Sequence, residues 1–401
     1  MWTTAWIFFV LALRARASEH CTAEKGCEGQ SESDEGAKKY EKQSSGGRWD
    51  GYFKSIKAAV ESHKDCPKEK CSCYNEVLEK DLELWKDGIS EETFNEAKPK
   101  GIYYQIIRHR LYRQKDCMFA FRCSGIEYFI LQLVKDLPDM ELVINVQDYP
   151  KVPTWSKPLP VLSFSKTPRE NDIMYPAWTF WEGGPAVWPI YPSGLGKWDD
   201  QRLIITRKAK EWPWEKKDPR GFFIGSRTSA ERDPLILLSR QNPELVNASY
   251  TKNQAWKSDA DTLGAPPAKE IKLEDHCNYR YLFNFRGVAA SFRFKHLFLC
   301  HSLVFHVGDE WIEFFYPPIK PWVHYIPVST SLNEVEELLE FVKENDDVAK
   351  EIAERGFDFV WNHLTVEDIL CYWKKLLKKL ARLEKWKPVK KDDLIEIASK
   401  N

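Results

Sequence analysis

Five short apolar runs constrain the fold more than any other feature of the chain. Leu142-Val143-Ile144-Asn145-Val146 lies between Pro138 and Pro150, and Val161-Leu162-Ser163-Phe164 follows it. Phe222-Phe223-Ile224 runs into Gly225, Tyr281 to Phe285 runs into Arg286-Gly287, and Leu303-Val304-Phe305 comes last. Runs of this length, apolar on both faces, read as buried strands. Helical signals separate them. Ser331-Leu332-Asn333-Glu334 has the form of a capping box before Val335, Leu338, Leu339 and Val342 at helical spacing. Thr365 to Asp368 opens a last helix with Ile369, Tyr372, Leu376, Leu380 and Leu383 on one side. Strands alternating with helices predict an α/β fold built on parallel sheets. Two such series, before and after about residue 200, predict two lobes.

The N-terminus points to the secretory pathway. Trp6 to Leu13 is an apolar run, and Ala15-Arg16-Ala17 fits a signal-peptide cleavage site, so residues 1–17 read as a signal peptide. The run is too short to span a bilayer. Residues 18–48, rich in Glu, Ser, Gly and Lys, read as a disordered tail. Ten cysteines favour disulfides in an oxidising compartment. Cys21 and Cys27 can pair locally within the tail. Cys71-Ser72-Cys73 has no downstream CxxC to make a zinc ribbon with. Asn247-Ala248-Ser249 is an N-glycosylation sequon. A net charge of -1 gives no overall field to attract nucleic acid or an anionic membrane. The 17 Trp, 16 Tyr and 22 Phe fit either a large aromatic core or flat faces for sugar rings.

Asp148 follows a strand directly, in Asn145-Val146-Gln147-Asp148-Tyr149-Pro150. Ligands of open α/β sheets gather at the carboxyl ends of strands. Asp148 therefore reads either as a base for an incoming hydroxyl or as an Asx-turn residue. Gly225-Ser226-Arg227-Thr228-Ser229, with Arg232 beyond it, and Arg286-Gly287 through Arg293 share one design: strand, Gly, small residues, helix start, Arg. Free N–H groups at helix starts and guanidinium forks both suit a diphosphate. Trp181 to Pro192, dense in aromatics, Gly and Pro, reads as a binding wall or as a loop buried between lobes. Asp259-Ala260-Asp261 has the acid-x-acid form of some metal sites but lies in polar surroundings, and is read as solvated surface. His296, His301 and His306, five residues apart, share no helix face and are read as structural.

The stretches Asn145–Pro150, Asp172–Gly196, Gly225–Leu238 and Tyr279–Trp311 closely resemble the capsule-associated, lipopolysaccharide-modifying glycosyltransferase family, in its animal protein O-glucosyltransferase branch. The resemblance covers roughly residues 60 to 375. It implies a GT-B-like fold: an acceptor-side Rossmann-type lobe over 49–200, a UDP-sugar lobe over 201–355, the active site in the cleft, and 356–401 returning to the first lobe. It implies inverting transfer of glucose from UDP-glucose to Ser in the Cys-x-Ser-x-(Pro/Ala)-Cys motif of EGF-like repeats, as in Notch, with UDP-xylose used by some members. Alternatives on the same scaffold are a xylosyl-specific transferase and a non-catalytic EGF-repeat binder or folding helper. No cofactor or metal is implied, nor any partner beyond the UDP-sugar and the EGF-like repeat, and a monomer is expected.

Carried over residue by residue, the resemblance makes Asp148 the catalytic base. Donor contacts fall on Tyr191, Ser226, Arg232, Val288, Ala289, Ala290, Ser291, Phe292 and Arg293. Acceptor contacts fall on Met118, Phe119, Ala120, Phe121, Arg122, Gln147, Ala186, Val187, Trp188, Pro189, Ile190, Tyr191 and Pro192. It implies disulfides Cys66–Cys73, Cys71–Cys371, Cys117–Cys123 and Cys277–Cys300. Gln147 and Ile224 stand where the relatives have Arg, and Ala120 and Phe121 also depart from them. The expected place is the endoplasmic reticulum lumen, but the sequence closes on Ala398-Ser399-Lys400-Asn401 rather than a KDEL-like signal, so secretion is the other expectation. From Leu380 onward the match weakens.

Overall fold

The computed structural model describes residues 47–181, 190–191, 194–253 and 255–398. The signal peptide, most of the tail with Cys21 and Cys27, and residues Ala186 to Pro189 and Pro192 lie outside the described residues.

The chain forms β1 (Ile102–Ile107), β2 (Arg110–Arg113), β3 (Met140–Ile144), β4 (Val161–Ser163), β5 (Ser165–Lys166) and β6 (Ile173–Met174). It continues with β7 (Asp218–Ser226), β8 (Val246–Thr251), β9 (Tyr279–Phe285), β10 (Leu303–Val307), β11 (Ile312–Glu313), β12 (Ile326–Val328) and β13 (Ile395–Ile397). Two main sheets result, ordered β13-β2-β1-β3-β4-β6 and β12-β10-β9-β7-β8.

The second sheet is parallel throughout. Its central strands β9 and β10 are buried on both faces, and the two faces enter different cores. Tyr281, Phe283 and Phe285 of β9 join one cluster, while Leu282 between them joins the other. This period of two is the geometry of a strand, and double burial is why such runs read as unbroken apolar stretches.

The first sheet departs from the all-parallel expectation. β3, β4 and β6 are parallel, but β1 is antiparallel to both β2 and β3. A two-residue turn forces the β1–β2 hairpin: Arg108 and His109 both have left-handed backbone, φ 50 and 61. A turn this short can only join antiparallel strands.

Three other expectations meet corrections. The helix Asp50–Ser62, placed by chain order in the first lobe, buries Phe53, Ile56 and Val60 in the second lobe's core against Phe341. The boundaries at 200/201 and 355/356 fall inside the helices Trp198–Glu211 and Asp346–His363. Ser331 does not cap its helix; instead Glu334 reaches back to the Ser329 amide and hydroxyl.

The last helix, Val366–Leu383, does carry the Thr365–Asp368 capping box, and it buries Ile369, Tyr372, Leu376 and Leu380. Cys71–Cys371 ties it to the first lobe across 300 residues. Cys66–Cys73, Cys117–Cys123 and Cys277–Cys300 complete the pairs that the resemblance implies. Beyond the helix the chain does not trail off. The Lys391 amide donates to Gln105 Oε1 at 3.0 Å, and β13 pairs with β2 to cover the edge of the sheet. Among the described residues no helix is long and apolar enough to cross a membrane.

The lobes meet along a built seam. β5 of the first lobe pairs with β11 of the second, antiparallel. The Ala290 amide reaches Ser165 Oγ at 3.5 Å. Phe292 packs against Phe164 and Trp178, with ring centroids 5.2 and 5.6 Å away.

Candidate functional site

The loop after β3 is shaped by Asn145, not Asp148. Asn145 Oδ1 accepts from the Gln147 amide at 2.9 Å, and its Nδ2 donates to Tyr149 O and Ser163 Oγ. Asn145 is thus the Asx-turn residue, and the Asp148 carboxylate is left for other work. Asp172 secures the far side of the loop. Its carboxylate accepts from the Lys151 and Val152 amides and from Ser163 Oγ, at 2.6 to 2.8 Å. Burial raises the Asp172 pKa despite these bonds.

Asp148 is partly exposed, with a 3.0 Å ion pair from Arg122 Nη2 to its Oδ1. Around it stand exposed apolar side chains: Met118, Phe121 and Tyr149. Gln147 Nε2 lies 3.6 Å from Met118 Sδ, and its Oε1 accepts from Lys151 Nζ. Of the expected acceptor residues, Gln147 adjoins Asp148, Met118 touches Gln147, and the Phe121 ring lies 5.8 Å from the Arg122 guanidinium. Arg122 does not share their exposure. Phe119 is half-buried under the Arg122 guanidinium, Ala120 is exposed, and Ile190 is half-buried.

The donor-side residues gather at the carboxyl ends of β7 and β9. Ser226 ends β7, and Ser229 Oγ caps the following turn by accepting from the Glu231 amide. Arg232 is buried and donates to the backbone carbonyls of Ser226 and Arg286, so it ties the two strand ends together. Its Nε has no partner among the described residues. Arg293 lies over the same Phe223 ring as Arg232, at 5.5 and 5.4 Å from the centroid. A Cβ on Gly225 would come within 3.0 Å of Arg293 Nη2, which explains a glycine there.

Burial, and after it the neighbouring Arg293 charge, push Arg232 down to about 9; burial pushes Arg293 down to about 10. A guanidinium stays charged at neutral pH, so the two repel each other. Glu231 offsets this only in part, acting on Arg232 less than burial and the Arg293 charge do while it is engaged by Arg286 Nε at 2.8 Å. Buried Arg232, whose hydrogen-bond partners are carbonyls, and Arg293 beside it over the Phe223 ring form an anion site.

The Val288–Arg293 segment presents exposed Val288, buried Ala289 and Ala290, and half-buried Ser291 and Phe292 along the seam. Tyr191 OH donates to Glu274 Oε2 at 3.0 Å and accepts from the Leu273 amide at 2.9 Å. Burial raises its pKa. Asn247 is on the edge strand β8, half-buried, with its amide donating to Tyr279 OH. Asp259-Ala260-Asp261 is a capped turn: Asp261 accepts from the Lys257 and Ser258 amides and is held as a cap. His296 and His306 are buried with lowered pKa values, and His301 pairs with Glu354. One group of potential ligands among the described residues, Cys66, Cys73 and His363, has its two sulfurs in a disulfide.

The sequence reading gave no role to Trp178 or Trp311. Trp178 joins Arg122 to Phe292 across the seam, and Trp311 faces Tyr149 at 6.1 Å. Both lie in stretches that carried the resemblance, but nothing in their spacing marks them as site residues.

A carboxylate paired with Arg122 and a cationic anion site, each on a strand-end loop at a two-lobe seam, define a group-transfer enzyme with a phosphorylated donor. The chain belongs to glycosyl transferase family 90, whose profile matches residues 66–401, and it is a glycosyltransferase. It is 60% identical to protein O-glucosyltransferase 1 of Rattus norvegicus over 88% of this chain and 91% of that one. It is 62% identical to the Homo sapiens protein of the same name, over 84% and 87%. Against O-glucosyltransferase rumi of Drosophila melanogaster the identity is 54%, over 86% and 87%.

Proposed function

We propose that the chain transfers glucose from UDP-glucose to a serine of a folded EGF-like repeat, inverting the anomeric centre, in the lumen of the secretory pathway. The carrying observation is the repelling Arg232–Arg293 pair at the ends of β7 and β9, which calls for a polyanion such as a diphosphate. The relatives' name, protein O-glucosyltransferase, supports glucose as the sugar and protein as the acceptor. The EGF-like repeat rests on the resemblance.

In the reaction Asp148 takes the serine proton as the serine oxygen bonds to the anomeric carbon. The bond from that carbon to the diphosphate oxygen breaks, and UDP leaves with the electron pair. Arg232 and Arg293 hold the growing negative charge, so their stabilisation is largest in the transition state. Arginine serves here without a metal. Met118, Phe121, Tyr149 and Gln147 border the place where the acceptor docks.

The test is transfer from UDP-glucose to a folded repeat carrying Cys-x-Ser-x-(Pro/Ala)-Cys, read by mass spectrometry. A hexose is expected on the serine, and its loss in Asp148→Asn with UDP binding kept. A pentose from UDP-xylose alone would make the chain a xylosyltransferase. No transfer by the wild type would leave a repeat binder.

A further inference from the structure

We infer that Arg122 is a positioning residue for the base rather than an acceptor contact; this rests on the reading of Asp148 above. The guanidinium of Arg122 is held at both terminal nitrogens and against two aromatic rings. Nη2 meets Asp148 Oδ1 at 3.0 Å, and Nη1 donates to Val146 O at 2.6 Å. The guanidinium carbon lies over Phe119 and Trp178, at 4.3 and 4.4 Å from their ring centroids. Nε is buried without a partner. The Arg122 side chain is only 13% exposed, against 38% for Asp148. A group so enclosed is poorly placed to meet a protein substrate.

What Arg122 can do is aim the carboxylate. Its two bonds clamp one oxygen of Asp148 and a carbonyl two residues earlier on the same loop, which fixes the loop and the carboxylate together. The second oxygen, Oδ2, is left to accept the serine proton. Arginine suits this because its planar fork bonds in the plane while its faces stack on aromatics. The surroundings hold the arginine in turn: Cys117–Cys123 braces the first turn of its helix, Ala120–Leu133, and Trp178 is buried.

The test uses the full chain with UDP-glucose and a folded repeat. Arg122→Ala is expected to lower kcat about 100-fold, the cost of a misplaced reacting group, with acceptor KM and UDP-induced stabilisation kept. Added guanidinium at tens of millimolar is expected to refill the slot between Phe119 and Trp178 and restore part of the rate, whereas methylammonium is not. Arg122→Lys, which keeps the charge but not the fork, should recover less than guanidinium does. A raised acceptor KM at unchanged kcat would overturn the inference, since that is how an acceptor contact behaves. Loss of UDP-induced stabilisation, or no guanidinium rescue in a folded variant, would also overturn it, because the role would then be structural. Absence of transfer by the wild type would instead sink the functional reading itself.

Discussion

Replacing Arg293 by methionine is expected to stabilise the free protein while weakening its hold on the donor. Both guanidiniums lie within 5.5 Å of the Phe223 centroid, so they are at most about 11 Å apart. At an effective dielectric of about 20, two like charges at that distance repel by about 1.5 kcal/mol, and by more if closer. Methionine keeps the aliphatic bulk and a favourable sulfur contact with the ring. The free variant should therefore gain about 1–2 kcal/mol, or roughly 1–2 °C in melting temperature for a chain of this size. With UDP the sign reverses. Wild type at 100 times its Kd gains about 2.7 kcal/mol. Losing a charged hydrogen bond costs about 1.5–3 kcal/mol of affinity, so the same UDP concentration should shift the variant far less. Thermal unfolding with and without UDP reads both effects. A variant that melts lower than wild type when free, yet keeps the full UDP shift, would refute the assignment of an anion site.

Opening the disulfide Cys71–Cys371, by changing both residues to serine, should cost on the order of 5 kcal/mol, since it closes a loop with a sequence separation of 300; urea unfolding under non-reducing conditions measures this. Burial, with the Glu141 charge adding to it, raises Glu384 to about 8 against a bond from the Glu141 amide. The folded state then holds the extra proton, so this contribution to stability is full below the unfolded carboxylate range and is lost as pH rises toward 8. Glu384→Gln should accordingly be more stable than wild type at pH 8, with the gain vanishing near pH 5 in denaturant titrations. Gln147→Arg puts a second cation beside Lys151 and should re-rank kcat/KM among EGF-like repeats, with UDP affinity unchanged.

The second lobe was legible because parallel strands buried on both faces leave unbroken apolar runs in the sequence, as in Tyr281 to Phe285. The β1–β2 hairpin was not, because Arg108-His109 adopts its left-handed turn without the glycine or asparagine that advertises one. The helix Asp50–Ser62 has a clear apolar stripe, but chain order gives no hint that it crosses to the other lobe. Within the site, Asp148, Ser226, Arg232 and Arg293 stand next to glycines and strand ends, which are local signals. Arg122 carries none. Its function depends on Val146, Asp148 and Trp178 being brought together, and no spacing along the chain encodes that.

The same gathering makes Trp178 the piece that joins the two halves of the site, and Gly125 tests it without touching either. Trp178 stacks on Arg122 behind the base and packs edge-on against Phe292 in the donor segment. Gly125, on the same helix as Arg122, lets the Trp178 backbone come close: a Cβ there would meet Trp178 Cβ at 2.7 Å and its carbonyl oxygen at 2.9 Å. Alanine favours a helix interior over glycine by about 0.5–1 kcal/mol. Overpacking a close-packed site costs about 1–3 kcal/mol, and here the obstacle is largely main chain, which yields least. The clash should win, so Gly125→Ala should be less stable on balance despite its better helix propensity. If Trp178 sets the base against the donor, kcat should also fall at temperatures where the variant remains folded. A folded Gly125→Ala with wild-type kcat would show that the aromatic bridge is packing alone, and that the strand-end loops hold the base and the donor site in register without it.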